Sequence, residues 1–340
     1  MAVAAEKMQV VVAGASGETG QSIMDALLSS PDRFQVTVLG RADSISKAIY
    51  KDFIKRGASV HGVDFEDIPT LASLLQGATT VIACITLEHK TVQEALIEAS
   101  SQAGVGRFIP SFFATVCPPR GVMPMRAMKE DSLDKCKAIY LPYTVIDVGW
   151  WYQFSLPRVP SGKLDSSISF PEEYIAGDGN TRTALTDKAD IGKFVARIIS
   201  DPRTLNRQVF AYGEVTTQNQ VFQLVEKWSG EAIPRKYMSK EEIEGVIEKA
   251  DADIAANPTN PAPYVIKGLM EYKWSRSIRG DNTPEHANYL GYLNARELYP
   301  DFQPKSMDEF VREVVKGGAS AALYTDREHH ALKDTPDVKI

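Results

Sequence analysis

The stretch VVVAGASGETGQSIMDALLSS, Val10 to Ser30, begins as an apolar, β-branched run and ends as an amphipathic one. Between the two lie Gly14, Gly17 and Gly20, spaced G-x-x-G-x-x-G. The first run reads as a buried strand and the last as a helix, so the glycines occupy the turn that joins them. Gly14 ends the strand, where a tight turn excludes a side chain. Gly17 leaves the start of the helix open to an anion, which the free N–H groups and the helix dipole favour. Gly20 lets the helix lie close on the strand. In this setting the spacing predicts a cradle for a diphosphate, with Ser16, Glu18 and Thr19 as the other loop residues placed to contact it.

The same alternation continues downstream. FQVTVLG, SVHGVDF, TTVIACI and RFIPSFF read as strands, and SISKAIYKDFIKR, IPTLASLLQG and KTVQEALIEASSQAG as the helices between them. Continuous Val and Ile runs separated by helices predict an α/β fold, a Rossmann-type doubly wound parallel sheet covered on both faces. After Val116 the texture changes. CPPRGVMP reads as a loop, MRAMKEDSLDKCKAIY as a helix, and YTVIDVGWWYQ as a sixth strand running into an aromatic cluster. Further on, TTQNQVFQLVEKWSG and SKEEIEGVIEKADADIAA stand out as helices in a region rich in Pro, Trp and Tyr. The expected organisation is a dinucleotide-binding domain over 5–152, rejoined by about 183–215. A smaller, mixed α/β substrate-binding domain is expected over 153–182 and 216–326, packed over the edge where the strands end, with 327–340 as a C-terminal tail.

With 340 residues the chain is long enough for two domains around a large core. Its net charge of −6, with no basic cluster, argues against nucleic-acid binding, which rests on many Lys and Arg contacts to phosphate. Cys84, Cys117 and Cys136 are widely spaced and form no C-x-x-C, which predicts free thiols in a reducing compartment. Of His61, His89, His286, His329 and His330, only the last pair is close in sequence, and it lies in a polar tail, so no metal site is expected. The N-terminal MAVAAEKM lacks the apolar core of a signal peptide, and no run reaches the ~18 apolar residues of a membrane span. A cytoplasmic protein, monomeric or homodimeric and without a membrane partner, is the expectation.

Which dinucleotide the cradle takes is read from the end of the second strand. An NAD site carries Asp or Glu there, bonded to the ribose hydroxyls. Here the strand ends TVLGRADS, with no carboxylate at its tip and Arg41 instead. A guanidinium suits a 2′-phosphate through paired, charge-assisted hydrogen bonds, and Lys47 lies one or two turns on. The expected cofactor is therefore NADPH. Topology places Asp64 and Phe65, after the third strand, near the adenine, and Thr86, after the fourth, near the nicotinamide ribose.

A short-chain dehydrogenase shows Tyr-x-x-x-Lys, and no tyrosine here has lysine four residues later. The helix MPMRAMKEDSLDKCKAIY offers a replacement. Its inward stripe runs Met125, Lys129, Leu133, Cys136 and Tyr140, placing one charge on an apolar face. Lys135 and Lys137 point elsewhere. A lysine forced inward must snorkel, pair, or lower its pKa by desolvation, and the last option makes it a general acid.

These residues carry a resemblance. Over nearly its whole length the chain resembles the isoflavone reductase-like and NmrA-like branch of atypical short-chain dehydrogenases. The likeness runs through the glycine loop, Arg41, RFIPSFF, LPYTVIDVGWW, GDGNTRTALTDKADIGKFVARIISDPRTLN and ARELYPDFQPKSMDEFV. In that family a lysine thirteen residues before the proline of the PYT segment acts in catalysis, and counting back from Pro142 lands on Lys129. The resemblance also implies NADPH, a cleft roofed by the second domain, and an aromatic ring on the nicotinamide at Trp151, with Trp150 beside it. It implies a bulky or aromatic small-molecule substrate. Two positions depart from the pattern: PSEFG reads PSFFA, with Phe112 in place of an acidic residue, and an asparagine before the nicotinamide aromatic is Gly149. Both changes make the expected reaction centre more apolar. Phe112, Tyr143, Trp150, Trp151, Tyr152 and Phe154 form the expected substrate wall.

Three readings follow. The first is an NADPH-dependent reductase with Lys129 as proton donor or relay. The second is an isomerase or cyclase of secondary metabolism that holds the dinucleotide without net redox chemistry. The third is an NADP(H)-sensing regulator.

Overall fold

The computed structural model describes residues 6–325. The expected tail at 327–340, with His329 and His330, lies outside the described residues. The chain begins with β1 (Met8–Ala13), α1 (Glu18–Leu28), β2 (Phe34–Arg41), α2 (Ala48–Lys55) and β3 (Ser59–Val63). It continues with α3 (Ile68–Leu74), β4 (Thr80–Ala83), α4 (Lys90–Gln102), β5 (Phe108–Ile109), α5 (Pro124–Ala138) and β6 (Thr144–Asp147). Then come β7 (Trp150–Trp151), β8 (Ile175–Ala176), β9 (Thr183–Thr186), α6 (Lys188–Ile198), β10 (Arg207–Phe210) and β11 (Glu214–Thr216). The last elements used below are α7 (Gln218–Ser229), β12 (Tyr237–Met238), α8 (Lys240–Ala256), α9 (Ala262–Lys273) and the helix Met307–Val315.

The chain divides into two units. Among the described residues, unit 1 comprises 6–113, 127–147 and 188–211, and unit 2 comprises 114–126, 148–187 and 212–325. Unit 1 is built on a five-stranded parallel sheet of order β3-β2-β1-β4-β5. The order reverses between β1 and β4, the switch point of a doubly wound fold. Phe108 bridges to Tyr143 in parallel, and β6 pairs in parallel with β10. The central strands are covered on both faces: every residue of β4, and Val10 to Ala13 of β1, is buried. That is why they read as unbroken apolar runs rather than alternating ones.

On α1 the buried stripe is Gly20, Ile23, Met24 and Leu27, the spacing of one helical face. This helix packs on α6 at a separation that only glycine permits. A Cβ on Gly192 would sit 1.9 Å from the Ser22 carbonyl oxygen. The Ser22 hydroxyl accepts from the Gly192 N–H at 3.0 Å and donates to the Lys188 carbonyl at 2.7 Å, pinning the two helices together.

Unit 2 holds the sheet β11-β9-β7 and the pair β12-β8. Its core gathers Tyr152, Leu156, Leu185, Val221, Phe222 and Val225 with Met307, Phe310 and Val311. This unit is no smaller than unit 1, which corrects that part of the expectation. Two boundaries also differ. Segment 114–126 belongs to unit 2, where the Asn282 side chain accepts from the Val116 N–H at 3.1 Å. The expected sixth strand breaks after Asp147: Gly149 takes φ +73°, and Trp150–Trp151 pairs with β9 instead. A Cβ at Gly149 would sit 2.6 Å from the Ala184 carbonyl oxygen, so glycine is there for backbone approach as well as for its φ.

Replacing Gly192 by Ala forces α6 off α1, and we expect a loss of about 1–3 kcal/mol, the range for overpacking a well-filled contact. The urea midpoint of Gly192→Ala checks it; an unchanged midpoint contradicts the close approach.

Candidate functional site

The glycine loop lies at the C-terminal end of β1. Gly14 has φ +80°, and a Cβ there would lie 2.3 Å from the Cys84 carbonyl oxygen. A Cβ on Gly20 would lie 2.3 Å from the Gly14 carbonyl oxygen. Gly17 is the N-cap of α1, extended at φ −77° and ψ 168°, and no side chain caps the helix. By contrast α7, α8 and the helix Met307–Val315 each begin with a reciprocal capping box. The first turn of α1 is thus left for an external acceptor, which a diphosphate supplies. The loop is held from behind: the Gln21 amide donates to the Ser16 carbonyl at 2.9 Å, and the Tyr50 hydroxyl donates to Ser16 Oγ at 3.2 Å. Thr19 is half-buried in the first turn. The Glu18 carboxylate is bound to the Lys188 ammonium at 2.5 Å. A carboxylate repels a diphosphate, so any contact from Glu18 comes through its main-chain N–H.

Arg41 is the last residue of β2 and is exposed, with its Nε 3.5 Å from the Asp43 carboxylate and Nη2 3.4 Å from Ser44 Oγ. Lys47, also exposed, is the N-cap of α2. Asp64 and Phe65 follow β3. The Asp64 carboxylate accepts from the Glu66 N–H at 2.9 Å, and Phe65 packs on the core of unit 1. Thr86 is exposed beyond β4.

Lys129 is buried, on α5. Its Nζ donates to the Ser111 carbonyl at 2.5 Å and to the Phe112 carbonyl at 3.0 Å. Those carbonyls follow β5, so the ammonium stands at the same C-terminal edge of the sheet as the glycine loop. Of the three options open to an inward lysine, pairing is the one observed. Leu133 and Cys136 share its face and are fully buried. Tyr140, expected on that stripe, is 93% exposed because the helix ends at Ala138 and Tyr140 turns out at φ +56°. Burial pushes the Cys84 and Cys136 thiols up to about 12, so neither is a thiolate nucleophile at neutral pH.

The expected substrate wall is not one surface. Phe112 is buried against Leu133 and Val145 in the core of unit 1, and it meets Lys129 through its carbonyl. Tyr143 precedes β6, at the N-terminal end of that strand, whereas dinucleotide sites in such sheets lie at the C-terminal ends. It is corrected to a residue of the opposite edge. Tyr152 is fully buried, packs on Phe310 at 5.4 Å, and donates its hydroxyl to the Lys305 carbonyl at 3.0 Å. It is a packing residue of unit 2. Trp150, Trp151 and Phe154 do cluster: Trp151 stacks on Phe154 at 5.7 Å, and Trp150 lies 5.3 Å from Phe154 and 5.4 Å from Tyr272.

Beneath Trp150 sits a buried charge cluster that sequence reasoning missed. Arg276 stacks on the indole at 4.6 Å, and the Glu172 carboxylate accepts from Lys273 and Arg276, each at 2.6 Å. Burial alone would raise the Glu172 pKa, but the two cations outweigh it and hold the carboxyl below its ordinary value.

Comparison with known proteins places the chain. Residues 6–311 match the model of the NmrA-like family, and the chain belongs to that family. Asnovolin J 5',6'-dehydrogenase of Aspergillus novofumigatus is 38% identical, over 92% of this chain and 97% of its own. The isoflavone reductase homolog of Zea mays is 26% identical over 92% of this chain and 100% of its own. Among solved structures, the leucoanthocyanidin reductase–NADPH complex from Vitis vinifera matches with a TM-score of 0.76 at 21% identity, covering 91% of this chain and 99% of that one. Among the described residues no helix is long and apolar enough to cross a membrane.

Glu172→Leu leaves two buried cations without their counter-charge, and we expect a loss of about 3–5 kcal/mol. Denaturant titration of that variant checks the assignment; a loss under about 1 kcal/mol, the level of an exposed pair, contradicts it.

Proposed function

We propose that this chain is an NADPH-dependent oxidoreductase of a bulky, hydrophobic or aromatic secondary-metabolite-type molecule, with Lys129 as proton donor or relay. The observation that carries this reading is the Lys129 ammonium, buried and aimed by two carbonyls at the edge of the sheet that also bears the glycine cradle. Arg41 ends β2, on one side of the β1/β4 switch point, and the Lys129 carbonyls follow β5, on the other. Three strand spacings separate β2 from β5, about 14 Å, a span suited to an extended dinucleotide with its 2′-phosphate at Arg41 and Lys47. Relatives named as a dehydrogenase and as an isoflavone reductase homolog support redox chemistry over the sensor and isomerase readings.

When bound, NADPH supplies hydride to an electrophilic carbon of a C=C, C=O or C=N bond. Lys129 gives a proton to the atom left electron-rich at the other end of that bond, and the resulting amine regains a proton from solvent. The Ser111 and Phe112 carbonyls keep the ammonium aimed throughout. The main-chain amides of Glu18 and Thr19 bind the diphosphate, the Gly17 N–H being taken by the Gly14 carbonyl at 3.1 Å.

Two substitutions separate the roles. Lys129→Met should lower turnover by ~10²-fold or more and leave the NADPH dissociation constant within about threefold, because a proton donor acts in the transition state. Arg41→Ala should weaken NADPH by about 10- to 100-fold and leave NADH unaffected, given about 1.5–3 kcal/mol for a charge-assisted bond. Titration by nicotinamide fluorescence and turnover by its absorbance report both. Product formed without loss of NADPH overturns the redox reading, and full turnover in Lys129→Met overturns the proton role.

A further inference from the structure

Helix α4 presents Gln93, Leu96, Ile97 and Ser100 to the interior, a helical face with an amide at its head. Gln93 is 5% exposed. Its Oε1 accepts from the Ser111 N–H at 2.7 Å, and its Nε2 donates to Ser132 Oγ at 2.8 Å. Ser111 offers its carbonyl to Lys129, and Ser132 lies on α5 three residues beyond Lys129. One buried amide therefore joins the peptide immediately before the one that receives the ammonium to the helix that delivers it.

The receiving peptide is also held in an unusual shape. The Phe112 N–H donates to the Pro110 carbonyl at 2.8 Å, a closure spanning only two residues. Phe113 then takes φ +37°, left-handed for a side-chain-bearing residue, with its N–H on the Ile146 carbonyl at 2.9 Å. Such backbone persists only where its surroundings over-determine it. The result is that two successive carbonyls, of Ser111 and Phe112, converge on one Nζ. Gln93 grips the peptide between Pro110 and Ser111, and the Pro110 carbonyl of that peptide accepts from the Phe112 N–H. The peptide bearing that N–H carries the Ser111 carbonyl, so turning this carbonyl off Lys129 breaks a closure that Gln93 anchors.

We propose that Gln93 is the positioning residue of Lys129: by gripping the Ser111 N–H and the Ser132 hydroxyl together, it fixes the carbonyl pair that aims the ammonium. The functional consequence rests on the proton role proposed above; the geometric claim does not. Both polar atoms of the Gln93 amide are bonded to protein partners, Ser111 and Ser132, so its effect falls on kcat and not on the KM for NADPH.

The test uses full-length protein carrying nitrogen-15 at the lysine Nζ. A buried, doubly bonded ammonium exchanges its protons slowly, and the Lys129 signal is assigned by its loss in Lys129→Met. We expect Gln93→Leu to speed that exchange at least ~10-fold and to cut kcat by a comparable factor, with the KM for NADPH within about threefold. Gln93→Glu keeps an acceptor for the Ser111 N–H and should retain slow exchange. Ser132→Ala removes one end of the grip without disturbing the packing, and stands in if Gln93→Leu does not fold; exchange at least about threefold faster is expected there. Exchange as slow as wild type in Gln93→Leu, or in Ser132→Ala where that variant stands in, overturns the proposal. So does equally fast exchange in Gln93→Glu and Gln93→Leu, because the acceptor then has no part. Turnover surviving in Lys129→Met would strike down the proton role and leave the exchange result standing.

Discussion

The architecture of unit 1 depends on backbone meeting backbone with nothing between. The Cys84 carbonyl beyond β4 abuts Gly14, the Gly14 carbonyl abuts Gly20 of α1, and the Ser22 carbonyl of α1 abuts Gly192 of α6. Each contact would place an added Cβ within 2.3 Å of an oxygen. The series runs from the strand through the loop to two helices in succession, so a shift at one contact is passed to the next in a close-packed interior. The arrangement also explains why the loop can serve a diphosphate. A cradle made of main-chain amides needs the helix start uncapped and the turn bare, and both conditions hold at Gly17 and Gly14.

Much of this was legible in the sequence because buried parallel strands and amphipathic helices leave periodic traces. VVVAG and TTVIACI announced themselves as covered strands, and the glycine spacing announced the turn. Lys129 was visible as a charge on an apolar helical stripe. Gln93 carries the same signal, a polar group heading the Leu96, Ile97, Ser100 face, and was passed over because an amide suggests no chemistry by itself. Other features were hidden for physical reasons. Tyr152 and Phe112 sit in aromatic-rich runs, and no period tells a wall residue from a core residue when both are apolar on every side. The break at Gly149 depends on how near Ala184 comes, which is a tertiary fact. The pairing of Glu172 with Lys273 and Arg276 spans about a hundred positions of chain, beyond any local pattern.

The two deeply placed lysines show how similar burial leads to different uses. Lys273 faces a carboxylate: Glu172 cancels its charge, Arg276 shares the same partner, and the group is locked into the packing under Trp150. The carboxylate favours the ammonium form, but burial, with the Arg276 charge beside it, outweighs that and holds the Lys273 pKa below its ordinary value. Lys129 donates to two carbonyls, of Ser111 and Phe112, which orient the ammonium. The uncommon backbone at Phe113 follows directly on the Phe112 carbonyl, with the Phe113 N–H held by the Ile146 carbonyl at 2.9 Å. The backbone of 110–113 and the buried amide of Gln93 are two parts of one arrangement, which holds the pair of carbonyls that meets the Lys129 ammonium.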